Sequence, residues 1–207
     1  MSTNQPDFLT PASEATLQQA AERLRERNIE VVIVNNGEEA RQVALERIPK
    51  GSLVHSGKSQ TLQEAGIFDA IMDPNQYDAL RHQIVKMDRK TQGKEIRKFM
   101  AAPDFMLGSV NAITEAGILV AASATASQIG PYANTAGMVI LVVGNQKIVP
   151  DLETAFSRIR DHVQPWEEAQ VRKAANMGTL IGKIQIIERE WIKELMTVFL
   201  VREPIWI

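Results

Sequence analysis

Apolar positions along this chain change period several times, and each change marks an element. Leu17, Ala20, Ala21 and Leu24 recur at helical spacing after Thr10-Pro11, a capping hydroxyl with proline at the first helical position. Asn28 supplies the stop. Residues 29–34 (IEVVIV) then form a β-branched run of the kind buried on both faces of a parallel sheet. Residues 37–48 return to a helical pattern, Pro49-Lys50-Gly51 makes a turn, 52–55 read as a second strand, and 61–65 as a short helix ending near Gly66. This alternation predicts parallel strands joined by helical crossovers.

Asp73-Pro74 starts a further predicted helix with Tyr77, Leu80, Ile84 and Met87 on one face, running with a break near Gly93 to about Met100. Residues 105–114 and 118–122 are strand-like and flank the turn Glu115-Ala116-Gly117. Residues 125–134 suggest a short helix. The run 138–143 (MVILVV) is the strongest strand signal and is expected to be central. Val149-Pro150-Asp151 opens an amphipathic helix with Leu152, Ala155, Phe156, Ile159 and Val163 on one stripe, and another helix is expected after Pro165. Residues 184–187 and 197–201 form a β-rich tail, expected as an added hairpin or an oligomer contact.

The expected class is therefore α/β, a mainly parallel sheet with helices on both faces and a C-terminal β-rich tail. Residues 1–9 are read as a flexible arm and 10–207 as one domain. A net charge of −2 gives no global attraction to nucleic acid or membranes. The basic run Lys86, Arg89, Lys90, Lys94, Arg97 and Lys98 lacks interleaved aromatics and reads as a solvated face. The chain has no cysteine, which removes disulfides, thiolate nucleophiles and cysteine-held clusters. It shows no secretory pattern and no apolar run near ~18 residues, so a cytoplasmic protein is expected.

Three segments carry candidate chemistry. Ser56-Gly57-Lys58-Ser59 lies where a strand gives way to a helix, so backbone N–H groups can face an anion. It is not a nucleotide P-loop, because Ser52 stands where that motif needs its first glycine. Its bland alternative is a plain turn. Asn111, Thr114 and Glu115 cluster beside Gly117; Glu115 is a candidate base or nucleophile and Asn111 a group to orient a carbonyl, against the alternative of an exposed hairpin turn. Ser123, Thr125, Ser127 and Gln128, followed by Gly130-Pro131-Tyr132, line a pocket mouth or cap a helix. His55, His82 and His162 have no metal-ligand spacing, and no metal site is expected. No nucleophile elbow or dinucleotide fingerprint occurs.

Three stretches, GSLVHSGKSQTLQEAGIFDAI (51–71), FMLGSVNAITEAGILV (105–120) and MVILVVGNQKIVPDLETAFSRI (138–159), resemble in order and spacing the LUD domain family, which includes LutC-like lactate utilization proteins. The resemblance covers roughly residues 17–173. It implies a fold similar to the ribose-5-phosphate isomerase and CoA-transferase group. It also implies an anion near Ser56, Gly57, Lys58 and Ser59, with Glu115 near the ligand. The segment 111–115 looks closer to short stand-alone LUD proteins than to LutC.

The leading expectation is a protein that binds a small anionic metabolite, a carboxylate or phosphate, at Ser56, Gly57, Lys58, Ser59, Asn111 and Thr114, accessory to lactate or organic-acid utilization. The alternatives are an isomerase-like or CoA-transferase-like enzyme using Glu115, and an assembly subunit whose tail at Pro204-Ile205-Trp206-Ile207 pairs with another chain as a homo-oligomer. The sequence names no cofactor. All of these expect the Gly57 and Glu115 segments to enclose one cavity.

Overall fold

The computed structural model describes residues 7–57 and 59–206. Its centre is a six-stranded, wholly parallel sheet built from β1 (Glu30–Val34), β2 (Leu53–Ser56), β3 (Asp78–Ala79), β4 (Phe105–Gly108), β7 (Met138–Gly144) and β10 (Met196–Val201). Their spatial order is β1-β10-β7-β4-β2-β3. A second sheet, in the order β8-β5-β6-β9, contains β5 (Ala112–Thr114), β6 (Leu119–Ser123), β8 (Ile148–Val149) and β9 (Lys183–Ile187). The first six residues of the expected N-terminal arm lie outside the described residues; within the rest of it, Phe8 is buried, its ring 5.6 Å from that of His162.

Strand alternation divides the core. Val139, Leu141 and Val143 of β7 and Met196, Val198 and Leu200 of β10 point to one face. There they meet Leu17, Ala21 and Leu24 of α1 (Glu14–Glu26) and Ile113, Leu119 and Ile187 of the second sheet. Ile140 and Val142 of β7, with Phe199 and Val201 of β10, point to the opposite face. They are covered by α2 (Gly37–Glu46), α3 (Gln60–Glu64) and α4 (Ile67–Ile71), through Ala40, Ala44, Leu62, Ile67 and Ile71. Burial on both sides explains the uninterrupted apolar run at 138–143. The outer face of the second sheet packs on α7 (Leu152–Ser157) through Ala155. The helical path continues through a π-helical stretch, Arg158–Val163, into α8 (Gln164–Ala175).

Several expectations change. The helix predicted from Thr10 begins at Glu14, because Ser13 supplies the cap by accepting from the Thr16 N–H, while the Thr10 hydroxyl is engaged by Asp7. The helix predicted from 73 to about 100 is broken. Asp73 accepts from the Asn75 N–H in a turn, and Asp78–Ala79 pairs with Leu53–Val54 as β3. Only α5 (Leu80–Ile84) and α6 (Gly93–Ala101) remain helical. The stretch 105–114 divides into β4 and β5, in different sheets. The expected hairpin at 115–117 forms between β5 and β6, with Gly117 at φ +79°. The tail is not an added hairpin: β9 joins β6, and β10 enters the parallel sheet between β1 and β7. Among the described residues no helix is long and apolar enough to cross a membrane.

Candidate functional site

The C-terminal ends of β2, β4 and β7 converge on one edge of the parallel sheet, the edge where open α/β sheets place ligands. A cavity of about 270 Å³ opens beside the ends of β2 and β4. Gly57 and Ser59 come from the turn after β2, Gly108 and Ser109 from the end of β4, and Asn111 from the start of β5. Ala122, Ser123, Thr125, Ser127 and Gln128 form a polar wall. Ile159, Val163, Leu180, Ile181 and Trp206 form an apolar one, and Gln164, Thr179 and the Glu167 carboxylate complete the lining.

The polar wall is held by its own hydrogen bonds. Ser123 Oγ and Ser127 Oγ donate to Gln128 Oε1 at 3.0 and 3.2 Å, and Gln128 Nε2 donates to the Ala122 carbonyl at 3.4 Å. Tyr132 is buried, and its hydroxyl donates to the Ser109 carbonyl at 3.2 Å. It reaches that carbonyl by lying against Gly108, where any Cβ would overlap its hydroxyl.

The expected site residues divide. Gly57, Ser59 and Asn111 share this cavity, as do Ser123, Thr125, Ser127, Gln128 and Tyr132. Ser56 and Thr114 do not line it. Ser56 is buried and donates to the Gly57 carbonyl at 2.7 Å. The Thr114 hydroxyl accepts from the Ile118 N–H at 3.0 Å and closes the hairpin. Lys58 lies outside the described residues. Glu115 lines a different, polar hollow with Arg23, Arg27 and Arg189. The single enclosure expected from Gly57 and Glu115 is therefore not formed: the β5–β6 turn carries Glu115 past the end of β5, where its N–H donates to the Val149 carbonyl at 2.8 Å.

Two wholly buried basic side chains stand behind the cavity wall. Lys147 follows β7 in a 3-10 turn, Asn145–Lys147. Its Nζ donates to Thr61 Oγ1 at 3.0 Å and Ser109 Oγ at 3.2 Å, and lies 4.6 Å from the centre of the Trp206 ring. Arg158 Nη1 donates to the Asn111 carbonyl at 2.7 Å, while its Nε and Nη2 have no partner among the described residues. Trp206 is tied in place by its main chain: Glu64 Oε2 accepts from its backbone N–H at 2.9 Å, and Gln146 Nε2 donates to the Ile205 carbonyl at 2.9 Å and to the Trp206 carbonyl.

The LUD domain family model matches residues 17–198. The chain belongs to the LUD domain family. A search of curated proteins gives no match. Among solved structures, this LUD domain is similar to a DUF162 family protein from Deinococcus radiodurans, at 14% identity and a TM-score of 0.54, over 92% of this chain and 99% of that one. A D-ribose-5-phosphate isomerase in complex with phospho-erythronic acid also matches, at 12% identity and a TM-score of 0.40, over 79% of this chain and 93% of that one.

Burial controls the electrostatics of the LUD cavity. It holds the Lys147 ammonium well below the usual lysine range, with the nearby Arg158 charge acting in the same direction and Glu64 opposing. Burial lowers Arg158 to about 10, so the guanidinium stays charged at neutral pH. Burial also pushes the Tyr132 phenol up and keeps it a donor.

Ser109, Lys147, Arg158 and Trp206 escape sequence reasoning. Two faint signals mark them. Lys147 ends a short polar step, Asn145-Gln146-Lys147, set between the apolar runs 138–143 and 148–149, and Arg158 stands between Ala155 and Ile159 on the buried helical stripe. A cation in either place is costly unless something uses it.

Proposed function

We propose that this LUD domain binds a small anionic metabolite, a carboxylate or phosphate, in the cavity at the ends of β2 and β4, and serves lactate or other organic-acid utilization. The observation that carries this reading is Arg158. It is fully buried beside the Asn111 wall, stays charged, and has two guanidinium nitrogens without a partner among the described residues. A buried unpaired cation is destabilising, and an anion in the adjacent cavity offsets that cost through a low-dielectric path. The hydroxyls and amides of Ser59, Asn111, Ser123 and Gln128 suit a hydroxylated acid, and Trp206 with Ile159 suits its carbon skeleton.

The test is a thermal-shift and calorimetric screen of the full chain against lactate, longer hydroxy acids, sugar phosphates and CoA esters. A ligand of the native state raises Tm by mass action. At least one of these anions is expected to do so, and the shift is expected to vanish in Arg158→Met. If none raises Tm at millimolar concentration, the reading fails.

A further inference from the structure

Lys147 is buried, yet one of its hydrogen-bond partners faces the cavity. Its Nζ donates to Ser109 Oγ at 3.2 Å and to Thr61 Oγ1 at 3.0 Å. The Ser109 hydroxyl donates to the Val110 carbonyl at 3.3 Å, so general-base transfer needs that hydroxyl to rotate its proton from the carbonyl to Nζ. Ser109 lines the cavity directly after β4, whereas Thr61 is fully buried behind it. A reachable hydroxyl, an amine against it and a third group orienting the amine are the parts of an activated nucleophile. We propose that Ser109 and Lys147 form a serine–lysine dyad that hydrolyses a small acyl ester or thioester in this cavity.

The surroundings fit each role. A lysine acts as a base only when neutral, and burial with the Arg158 charge favours the neutral amine; Glu64 and the Trp206 ring act in the other direction. The tetrahedral oxyanion needs a donor near the nucleophile. Asn111 lines the same cavity two residues beyond Ser109. Its Oδ1 is committed to the Ala122 N–H at 2.6 Å, which leaves Nδ2 as the end without a partner among the described residues. Tyr132 anchors the Ser109 main chain through its carbonyl at 3.2 Å.

The chemistry balances with water as co-reactant. Ser109 Oγ attacks the acyl carbon as its proton passes to Lys147 Nζ, and the carbonyl π pair moves onto oxygen beside Asn111. Collapse breaks the bond to the leaving alkoxide or thiolate, which takes the proton from Lys147 and departs as alcohol or thiol. Water then attacks the acyl-Ser109 carbonyl and gives a proton to Lys147. The second collapse breaks the Ser109–acyl bond, the proton returns to Ser109 Oγ, and a carboxylic acid is released. No electron is gained or lost overall. The product carboxylate occupies the site proposed above, so the placing of the product rests on that reading, while the dyad itself does not require Arg158.

The experiment treats the full chain with a fluorophosphonate probe and follows hydrolysis of p-nitrophenyl acetate and an acetyl thioester. Intact mass and peptide mapping are expected to show one adduct, on Ser109. Ser109→Ala should abolish both the adduct and hydrolysis with Tm retained. Lys147→Met should slow adduct formation by at least about a hundredfold. Thr61→Val, which loosens the amine, should slow it less and shift its pH profile. Ser52→Ala, on a surface turn, should change nothing. Should Lys147→Met fail to fold, the wild-type profile decides: the labelling rate must rise with pH through one ionisation, and a flat profile overturns the dyad. An adduct elsewhere, or unchanged hydrolysis in Ser109→Ala, also overturns it. Anion binding without labelling sinks the dyad alone, and labelling without anion binding sinks the binding reading alone.

Discussion

The Arg158 guanidinium donates to the Asn111 main-chain carbonyl at 2.7 Å, joining the π-helical stretch after α7 to the residue that begins the second sheet. That one bond leaves most of a buried cation's hydrogen-bonding capacity unused.

Arg158→Met removes the charge and keeps much of the volume. Replacing a buried, poorly paired charge with an apolar side chain is often neutral or stabilising. The apo protein is therefore expected to unfold at the same urea midpoint or a higher one, while its affinity for a carboxylate falls at least about tenfold, or ~1.4 kcal/mol. A variant that unfolds earlier and still binds with wild-type affinity contradicts this account.

Gly57→Leu tests the cavity without touching a charge. The nearest atom to a Cβ at Gly57 is Gln128 Oε1 at 3.9 Å, so a side chain enters open space. Stability should stay within about 0.5 kcal/mol of wild type. Ligand-induced Tm shifts should disappear, and calorimetry with the best anion reads both effects in one preparation.

Gly108→Ala places a Cβ into the Tyr132 hydroxyl. Overpacking of this kind costs about 1–3 kcal/mol. Tyr132→Phe in the same chain removes the colliding oxygen, so the double variant should be more stable than the two single losses added together predict. Simple additivity in urea titrations would show that the two residues do not press on each other.

His55 supplies a pH test. It is buried, neither ring nitrogen has a partner among the described residues, and burial, with the Arg81 charge, lowers its pKa from 6.5 to about 4. The unfolded chain then binds a proton that the folded chain refuses between those values. Stability should rise as pH climbs from about 4 to 6.5 and level off above, a span of about 3 kcal/mol at most. In His55→Leu that part of the slope should be missing. An acid limb equally steep in the variant assigns it to other groups.

Elements whose local pattern and final burial agree are legible in the sequence. β7 is the plainest case, since apolar residues on both sides of its pleat demand cover on both faces. The helix expected over 73–100 misleads because Tyr77, Leu80 and Ile84 are buried at helical intervals although Asp78–Ala79 belongs to a strand. Pairing across the sheet overrides spacing along the chain. The position of β10 is equally hidden, because an apolar run does not say which neighbour it will choose.

The site follows the same division. Gly57, Ser59 and Asn111 announce themselves as small or polar residues at turns, and they do reach one cavity. Lys147 follows Asn145 and Gln146 and reads as part of a polar turn, and Arg158 lies on an apolar helical stripe where a charge reads as an interruption. Trp206 reads as a tail that pairs with another chain, whereas its ring packs over the Lys147 amine. Glu115 misleads in the other direction. A carboxylate beside a glycine turn looks chemical, yet that turn leads it away from the strand ends.

Placing β10 between β1 and β7 has a consequence for synthesis on the ribosome. Until residues 196–201 leave the exit tunnel, β1 has no strand to join and β7 presents a bare edge of stacked apolar residues. Throughout the making of everything from β2 to β9, β1 stays a lone strand and the sheet that can form beside it lacks the strand that joins the two. A truncation that removes this strand leaves β1 without its neighbour and β7 as the open edge of a four-stranded sheet.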